Sequence, residues 1–171
     1  ISSALIKAII AGNIGCVRLL LDHGADANVQ ETVDSEMSRW ALTDDPKKKG
    51  RPVLFWAIRQ MFLQNRVEIV KALLAQGADP NAVDESGKTA LYWAAELGHE
   101  EIVTALLDKK GVDPNQCHHE SKESLLSRAV YFNRKEIVQA LIKGGADLNI
   151  QSVSGASKDT KEHVLEVAVN S

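Results

Sequence analysis

The 171-residue chain has few of the residues that mark several classes of protein. Its two cysteines, Cys16 and Cys117, are too few for a disulfide framework, so we expect an intracellular, cytoplasmic protein, with the nucleus or secretion into a host cell as alternatives. Because the chain has 20 basic and 23 acidic residues, a broad nucleic-acid-binding surface is not expected. No apolar run approaches the roughly 18 residues that would indicate a membrane span. Neither a nucleic acid nor a membrane is therefore an expected partner.

A short phrase recurs four times, each time after a leucine-rich run. It reads HGADAN at 23–28, GADPN at 77–81, KGVDPN at 110–115 and GGADLN at 144–149. The asparagines that end it lie at 28, 81, 115 and 149, so the spacings are 53, 34 and 34 residues. A repeated period of this length indicates an array of similar small structural units.

The most complete unit runs from Asp84 to Asn115 as DESGKTALYWAAELGHEEIVTALLDKKGVDPN. Thr89 can cap a first helix, and Gly98 can end it in a left-handed conformation. Two carboxylates, Glu100 and Glu101, favour the positive end of a second helix. The apolar stripe of that helix comprises Ile102, Val103, Leu106 and Leu107. The unit is therefore a helix-turn-helix whose apolar face must be covered by neighbouring units.

This unit resembles the ankyrin repeat, whose period is about 33 residues. The resemblance implies an all-α fold, an ankyrin-repeat solenoid of stacked helix-turn-helix units with protruding finger loops. We expect a single domain over residues 1–171, with units at about 1–28, 29–81, 82–115 and 116–149 and a partial unit at 150–171. The turns between paired helices hold Gly12, Asn65, Gly98 and Asn133, residue types that tolerate left-handed geometry.

Two segments depart from the regular period. Residues 31–51 form a long finger insertion in the second unit, where Trp40 either packs back on the repeats or contacts a partner. Residues 59–64 lengthen the first helix of that unit by four residues, close to one helical turn. Their apolar side chains either pack beneath the long finger or offer a contact surface.

Catalytic and metal-binding motifs are not found. Cys117, His118 and His119 are adjacent, but no second Cys/His pair stands at a zinc-like spacing. Cys16 matches the stripe position of Ile102, so we expect a buried thiol. No phosphate-binding loop or nucleophile elbow is present. We expect no enzyme activity, no catalytic residue, no metal and no cofactor.

In ankyrin-like arrays, the fingers and the exposed side of each first helix line a concave groove that binds partners. The resemblance implies these partner-binding residues: Trp40, Trp56, Arg59, Glu85, Ser86, Lys88, Trp93, Glu96, Leu97, Glu120, Glu123, Arg128, Tyr131 and Phe132. Trp56, Trp93 and Arg128 occupy equivalent positions in successive first helices. They are either binding residues, since Trp and Arg are enriched in hot spots, or packing between repeats.

The predicted function is that of a monomeric, non-enzymatic protein–protein interaction module that binds a protein partner through its concave groove and finger loops. One alternative is a substrate-recruiting ankyrin segment of a larger multidomain enzyme or of a bacterial effector. A structural adaptor that tethers two proteins is a further possibility.

Overall fold

The computed structural model describes residues 2–30, 52–59, 65–84, 86–117 and 123–148. These ranges contain eight α-helices and no strand beyond isolated bridges such as Gln30 with Pro52 and Cys117 with Ser124. The helices are α1 Ser2–Ile10, α2 Ile14–Asp22, α3 Val53–Arg59, α4 Arg66–Ala75, α5 Ala90–Leu97, α6 Glu100–Leu107, α7 Leu125–Tyr131 and α8 Lys135–Lys143. The predicted all-α class is confirmed.

The chain divides into two compact units, Ile1–Gly87 and Lys88–Ser171. In the first unit, α1 pairs with α2 and α3 with α4, and the second pair packs beside the first through α1–α3 and α2–α4 contacts. The second unit repeats this arrangement, with α5–α6 and α7–α8 as pairs and α5–α7 and α6–α8 contacts between them. In the described part of the chain, each unit therefore contains two stacked helix-turn-helix repeats.

The helix ends follow the signals read from the sequence. The Oγ1 atom of Thr89 accepts a hydrogen bond of 3.1 Å from the Tyr92 backbone N–H, and Gly98 ends α5 in the left-handed region at φ 79°. Ser124 caps α7 in the same way, accepting from the Ser127 N–H at 3.1 Å. Each cap satisfies a donor that the first turn of a helix would otherwise leave unpaired.

The apolar stripes of the second helices form much of the core. In α6, Ile102, Val103 and Leu106 are fully buried, as the sequence pattern predicts, whereas Leu107 is half-buried. Burial of a large aliphatic side chain contributes about 1.5–3 kcal/mol. One helix pair could not hide such a stripe alone, which explains why the pairs stack.

The repeated phrase is a set of backbone turns closed by its aspartates. In three of the four phrases the aspartate Oδ1 accepts from the N–H two residues later, at 2.8–2.9 Å: Asp26 from Asn28, Asp79 from Asn81 and Asp113 from Asn115. Such turns are a common use of Asp. The recurring aspartates therefore shape the chain.

The asparagine of the phrase links one repeat to the next. The Oδ1 atom of Asn28 accepts from the Asp79 N–H at 2.7 Å, and its Nδ2 donates to the Gly77 carbonyl at 2.9 Å. In the second unit, Asn115 Oδ1 accepts from the Asp147 N–H, also at 2.7 Å. Successive phrases are thus hydrogen-bonded to each other in both units.

The expectation that Cys16 is buried is wrong, because its side chain is exposed. The residue at the matching position of α6, Ile102, is 0% exposed. In the part of the chain that the structure describes, α1 and α4 pack on α2 and leave its other face open, and Leu19 on α2 is 60% exposed as well. Burial at this position depends on a neighbouring helix, which the local sequence pattern does not reveal.

The left-handed conformation expected between paired helices occurs at three of the four positions. Gly12, Gly98 and Asn133 have φ values of 66°, 79° and 53°, but Asn65 has φ −108°. Asn65 instead directly precedes α4, and its Nδ2 donates a hydrogen bond of 3.0 Å to the carbonyl of Gly12, in the turn between α1 and α2. The extended first helix at 60–64, the long finger at 31–51 and the partial unit at 150–171 lie outside the described residues.

We expect Asn28→Ala to lower the free energy of unfolding by about 1–3 kcal/mol, because two main-chain groups lose their side-chain partner. Urea denaturation measures the change. The control is Lys7→Ala, which removes an exposed side chain from α1 and should change stability by less than about 0.5 kcal/mol. Equal stability of the two variants would show that the asparagine link contributes nothing.

Candidate protein-binding surface

Lys88, just before α5, lies over two neighbouring aromatic side chains, Tyr92 and Trp93, in the first turn of that helix. The Lys88 ammonium lies 4.9 Å from the ring centroid of Tyr92 and 4.8 Å from that of Trp93. The two rings meet edge to face, with centroids 5.9 Å apart at 89°. Tyr92 is buried, whereas Trp93 is half-buried. Cation–π attraction therefore holds Lys88 over an aromatic surface that is partly open to solvent.

A forked ion pair joins α5 to α7. Arg128 donates from Nε and Nη2 to the two carboxylate oxygens of Glu96, at 2.7 and 2.6 Å, and from Nη1 to Glu123 at 3.2 Å. About a quarter of each of these side chains is exposed. Because the guanidinium is planar, this two-point contact fixes orientation as well as distance. Three predicted site residues are thus held rigidly in one place.

The ion pair changes the acidity of its members. Hydrogen bonding from Arg128 holds the pKa of Glu96 below its usual value, against the opposing effect of burial. The pKa of Arg128 is raised, chiefly by its hydrogen bonds to Glu96. Burial raises the pKa of Tyr92, and the nearby Glu96 charge adds to that effect. At neutral pH, Glu96 and Arg128 are therefore both charged and Tyr92 is neutral.

A second arginine, which the sequence patterns did not single out, binds the end of α5. Arg134 Nη1 donates to the carbonyls of Ala95 and Glu96, the latter at 2.6 Å. Its guanidinium lies so close to Gly98 that a Cβ there would stand 3.3 Å from Cζ. Arg134 follows Asn133, which is left-handed. The equivalent position in the preceding repeat, after Gly98, is His99. This difference between the two repeats is the sequence signal that could have identified Arg134.

Exposed apolar side chains lie beside these charges. Tyr131 is 78% exposed, Phe132 47% and Leu97 42%. Tyr131 and Phe132 meet edge to face with centroids 5.2 Å apart. The guanidinium carbons of Arg128 and Arg134 lie 5.6 and 5.3 Å from the centroid of Phe132. The second unit therefore presents rings and charges together on one surface.

The remaining predicted residues that the structure describes belong to the first unit. Trp56, in α3 of the first unit, is only 8% exposed, and its Nε1 has no hydrogen-bond acceptor in the part of the chain described. Arg59 is half-buried, and Ser86 is exposed and hydrogen-bonded to Asp84. Trp40, Glu85 and Glu120 lie outside the described residues. Trp56, Trp93 and Arg128 each stand fourth in their helix, as their predicted equivalence requires.

The described ranges hold neither a metal-binding cluster nor a membrane-spanning helix. No group of three or more His, Cys, Asp or Glu side chains is arranged to hold a metal ion there, and His118 and His119 lie outside these ranges. The longest described helix, α4, has ten residues, and none of the described helices could cross a bilayer.

Comparison with known proteins identifies the family. The family description "Ankyrin repeats (3 copies)" matches residues 2–84 and 54–152, which together cover most of the chain. The chain therefore belongs to the ankyrin-repeat family, and the resemblance seen in the sequence is confirmed. Ankyrin repeats are a generic protein–protein interaction module and are generally not enzymatic.

Several curated relatives are much longer than this chain. A putative ankyrin repeat protein of fowlpox virus, FPV219, is 32% identical over 81% of the chain and 34% of its own length. The ANK repeat-containing protein nipk-1 of Caenorhabditis elegans is 31% identical over 61% of the chain and 19% of its length. The E3 ubiquitin-protein ligase KEG of Arabidopsis thaliana is 38% identical over 52% of the chain and 5% of its length. The chain thus spans about a third or less of each of these three proteins.

We expect Gly98→Ala to destabilise the protein more than Gly145→Ala. Both glycines are left-handed, so alanine costs about 1–2 kcal/mol at either position. A Cβ at Gly145 meets no atom within 4 Å, whereas one at Gly98 crowds the Arg134 guanidinium. Denaturant unfolding of the two variants gives the difference, which we expect to be about 1 kcal/mol because Arg134 hydrogen bonds are disturbed. Equal losses would mean that the guanidinium moves aside freely.

Stability should fall on acidification in a way that depends on Glu96. Since its pKa is lower in the folded than in the unfolded chain, its contribution is complete above the ordinary value of 4.5 and is lost as pH falls through the lowered value. Denaturant unfolding at neutral pH and at roughly pH 3.5 should show a smaller acid-induced loss for Glu96→Gln than for the wild type. The same loss in both would contradict the role of the ion pair.

Proposed function

We propose that the chain binds a protein partner through the surface of its second unit and is not itself an enzyme. The described members of this surface are Lys88, Trp93, Glu96, Leu97, Glu123, Arg128, Tyr131 and Phe132. The observation that carries the proposal is a fixed network of charges, Glu96–Arg128–Glu123, beside aromatic side chains that remain exposed. The general role of ankyrin repeats supports the same function.

Binding energy in protein interfaces is concentrated in a few aromatic and arginine side chains surrounded by ordered neighbours. Tyr131 and Phe132 are of this kind, and they are exposed without a covering element in the described part of the chain. Their neighbour Arg128 is held by its two carboxylates, so little side-chain freedom is lost when a partner arrives. Charges of both signs on the surface suit a protein partner better than a uniform polyanion.

The other residues predicted from the sequence do not all support the proposal equally. The burial of Trp56 favours packing between repeats at that position, so the proposal rests on Trp93 and Arg128 among the three equivalent residues. Arg59 and Ser86, in the first unit, and Trp40, Glu85 and Glu120, outside the described residues, remain predicted partner contacts. We further propose a monomer that acts inside the cell, where ankyrin repeats are commonly found.

A second function is favoured by the names of two relatives. The E3 ubiquitin-protein ligases KEG and hecd-1, the latter of Caenorhabditis elegans, match this chain over 5% and 4% of their lengths. If this chain is likewise a segment of a larger protein, the same surface would recruit a substrate for a catalytic domain elsewhere. Both functions need the surface to bind a protein, so the same variants test them.

We expect the double variant Tyr131→Ala/Phe132→Ala to lose the partner that the wild-type chain retains in pull-downs. With the purified partner, calorimetric titration should show at least an approximately tenfold weaker Kd, because each truncated hot-spot side chain costs 1–2 kcal/mol or more. The control is Leu19→Ala, which shortens an exposed apolar side chain in the first unit. A double variant with wild-type partners and affinity would refute the proposed surface.

Trp93→Ala and Arg128→Ala extend the same test to the centre of the surface. We expect each to weaken partner binding proportionally more than it lowers the melting temperature. Unchanged affinity together with a large loss of thermal stability would instead assign both residues to packing between repeats.

A further inference from the structure

We propose that the surface of the second unit recognises a linear peptide segment in which a carboxylate stands next to a large apolar side chain. The receiving site is the Arg134 platform, defined as Leu97, Tyr131, Phe132 and Arg134. This inference rests on the proposed function and narrows it to one class of partner.

No carboxylate is hydrogen-bonded to the Arg134 guanidinium among the described residues. Its hydrogen bonds go to two main-chain carbonyls at the end of α5, and no ion pair joins it to an acidic residue in the part of the chain that the structure describes. Glu96 is nearby, but both of its carboxylate oxygens are already taken by Arg128. The positive charge of Arg134 therefore lies near the Glu96 carboxylate, but its hydrogen bonds among the described residues go to the carbonyl end of α5.

The guanidinium is also fixed in position. The carbonyls of Ala95 and Glu96 hold one nitrogen, Nη1, and the Phe132 ring lies 5.3 Å from Cζ. The absence of a side chain at Gly98 leaves the space that the guanidinium occupies, as the 3.3 Å separation from a Cβ shows. Nη1 is engaged, while Nη2 and Nε have no partner among the described residues. Those two donors match the two oxygens of a carboxylate.

Apolar surface adjoins these donors. Phe132 lies against the guanidinium, Tyr131 packs edge to face on Phe132, and Leu97 lies between Glu96 and Gly98, both of which approach Arg134. These three side chains account for most of the exposed large hydrophobic residues of the described ranges, the others being Leu19 and Val83. A carboxylate on Arg134 would thus place the neighbouring residue of the same peptide beside Phe132.

The test uses the full chain and four sets of synthetic peptides of equal length. One set joins Asp or Glu to Leu or Phe, the second replaces the acid by Lys or Arg, the third replaces the apolar residue by Ser, and the fourth is scrambled. Fluorescence anisotropy titrations should show tightest binding for the first set. Arg134→Gln should weaken that binding about tenfold through loss of a charge-assisted contact, while Arg18→Gln, an exposed arginine of the first unit, should leave it unchanged.

The salt dependence of wild-type binding provides a test that does not require Arg134→Gln to fold. Raising the salt from about 50 mM to about 500 mM should weaken binding of the acidic–apolar set several-fold, because screening acts on an exposed ion pair. Tightest binding of the basic set, an affinity unchanged in a folded Arg134→Gln chain, or absence of peptide binding would each overturn the inference. A partner still lost by Tyr131→Ala/Phe132→Ala would then uphold the proposed function without it.

Discussion

Neighbouring helix pairs in each unit share one apolar interior, and the rest of the structure depends on that sharing. The described helices have seven to ten residues, too few for a helix to persist alone in water. Their stability comes from stripes such as Ile102, Val103 and Leu106, which are hidden only because another pair lies beside them. The turns, the caps and the asparagine links keep the pairs at the separation that this burial requires.

Features encoded over a few neighbouring residues could be predicted from the sequence. Thr89 caps α5 and Gly98 ends it because both effects act within one turn of helix. Features that depend on distant chain segments could not. Cys16 has the neighbours of a buried stripe residue but no covering helix among the described residues, and Arg134 gains its role only when α8 lies close to the end of α5. Asn65 likewise has φ −108°, and its side chain donates to the Gly12 carbonyl, 53 positions away in the sequence.

The sequence singled out residues of the candidate surface but not the contacts among them. Lys88, Trp93, Glu96, Glu123, Arg128, Tyr131 and Phe132 were all expected to face a partner, and the structure brings them into a connected set of contacts within the second unit. The sequence could not show that Arg128 pairs with Glu96 through two hydrogen bonds, since 32 positions separate them. Arg128 thus joins α5 to α7 and also lies beside the exposed rings.

The link between repeated phrases has a consequence for how such a chain can diversify. Asn28 reaches Asp79 across 51 positions and Asn115 reaches Asp147 across 32, yet both contacts measure 2.7 Å. Each asparagine side chain hydrogen-bonds a main-chain amide. The geometry of this contact therefore does not depend on the side chain of the receiving residue or on the number of residues between the two partners. Doubling the length of a flexible loop costs only about 0.6 kcal/mol in closure entropy. The length and sequence of one finger can therefore change during evolution while the adjoining repeats keep their register. New binding specificity can thus be acquired without loss of the fold.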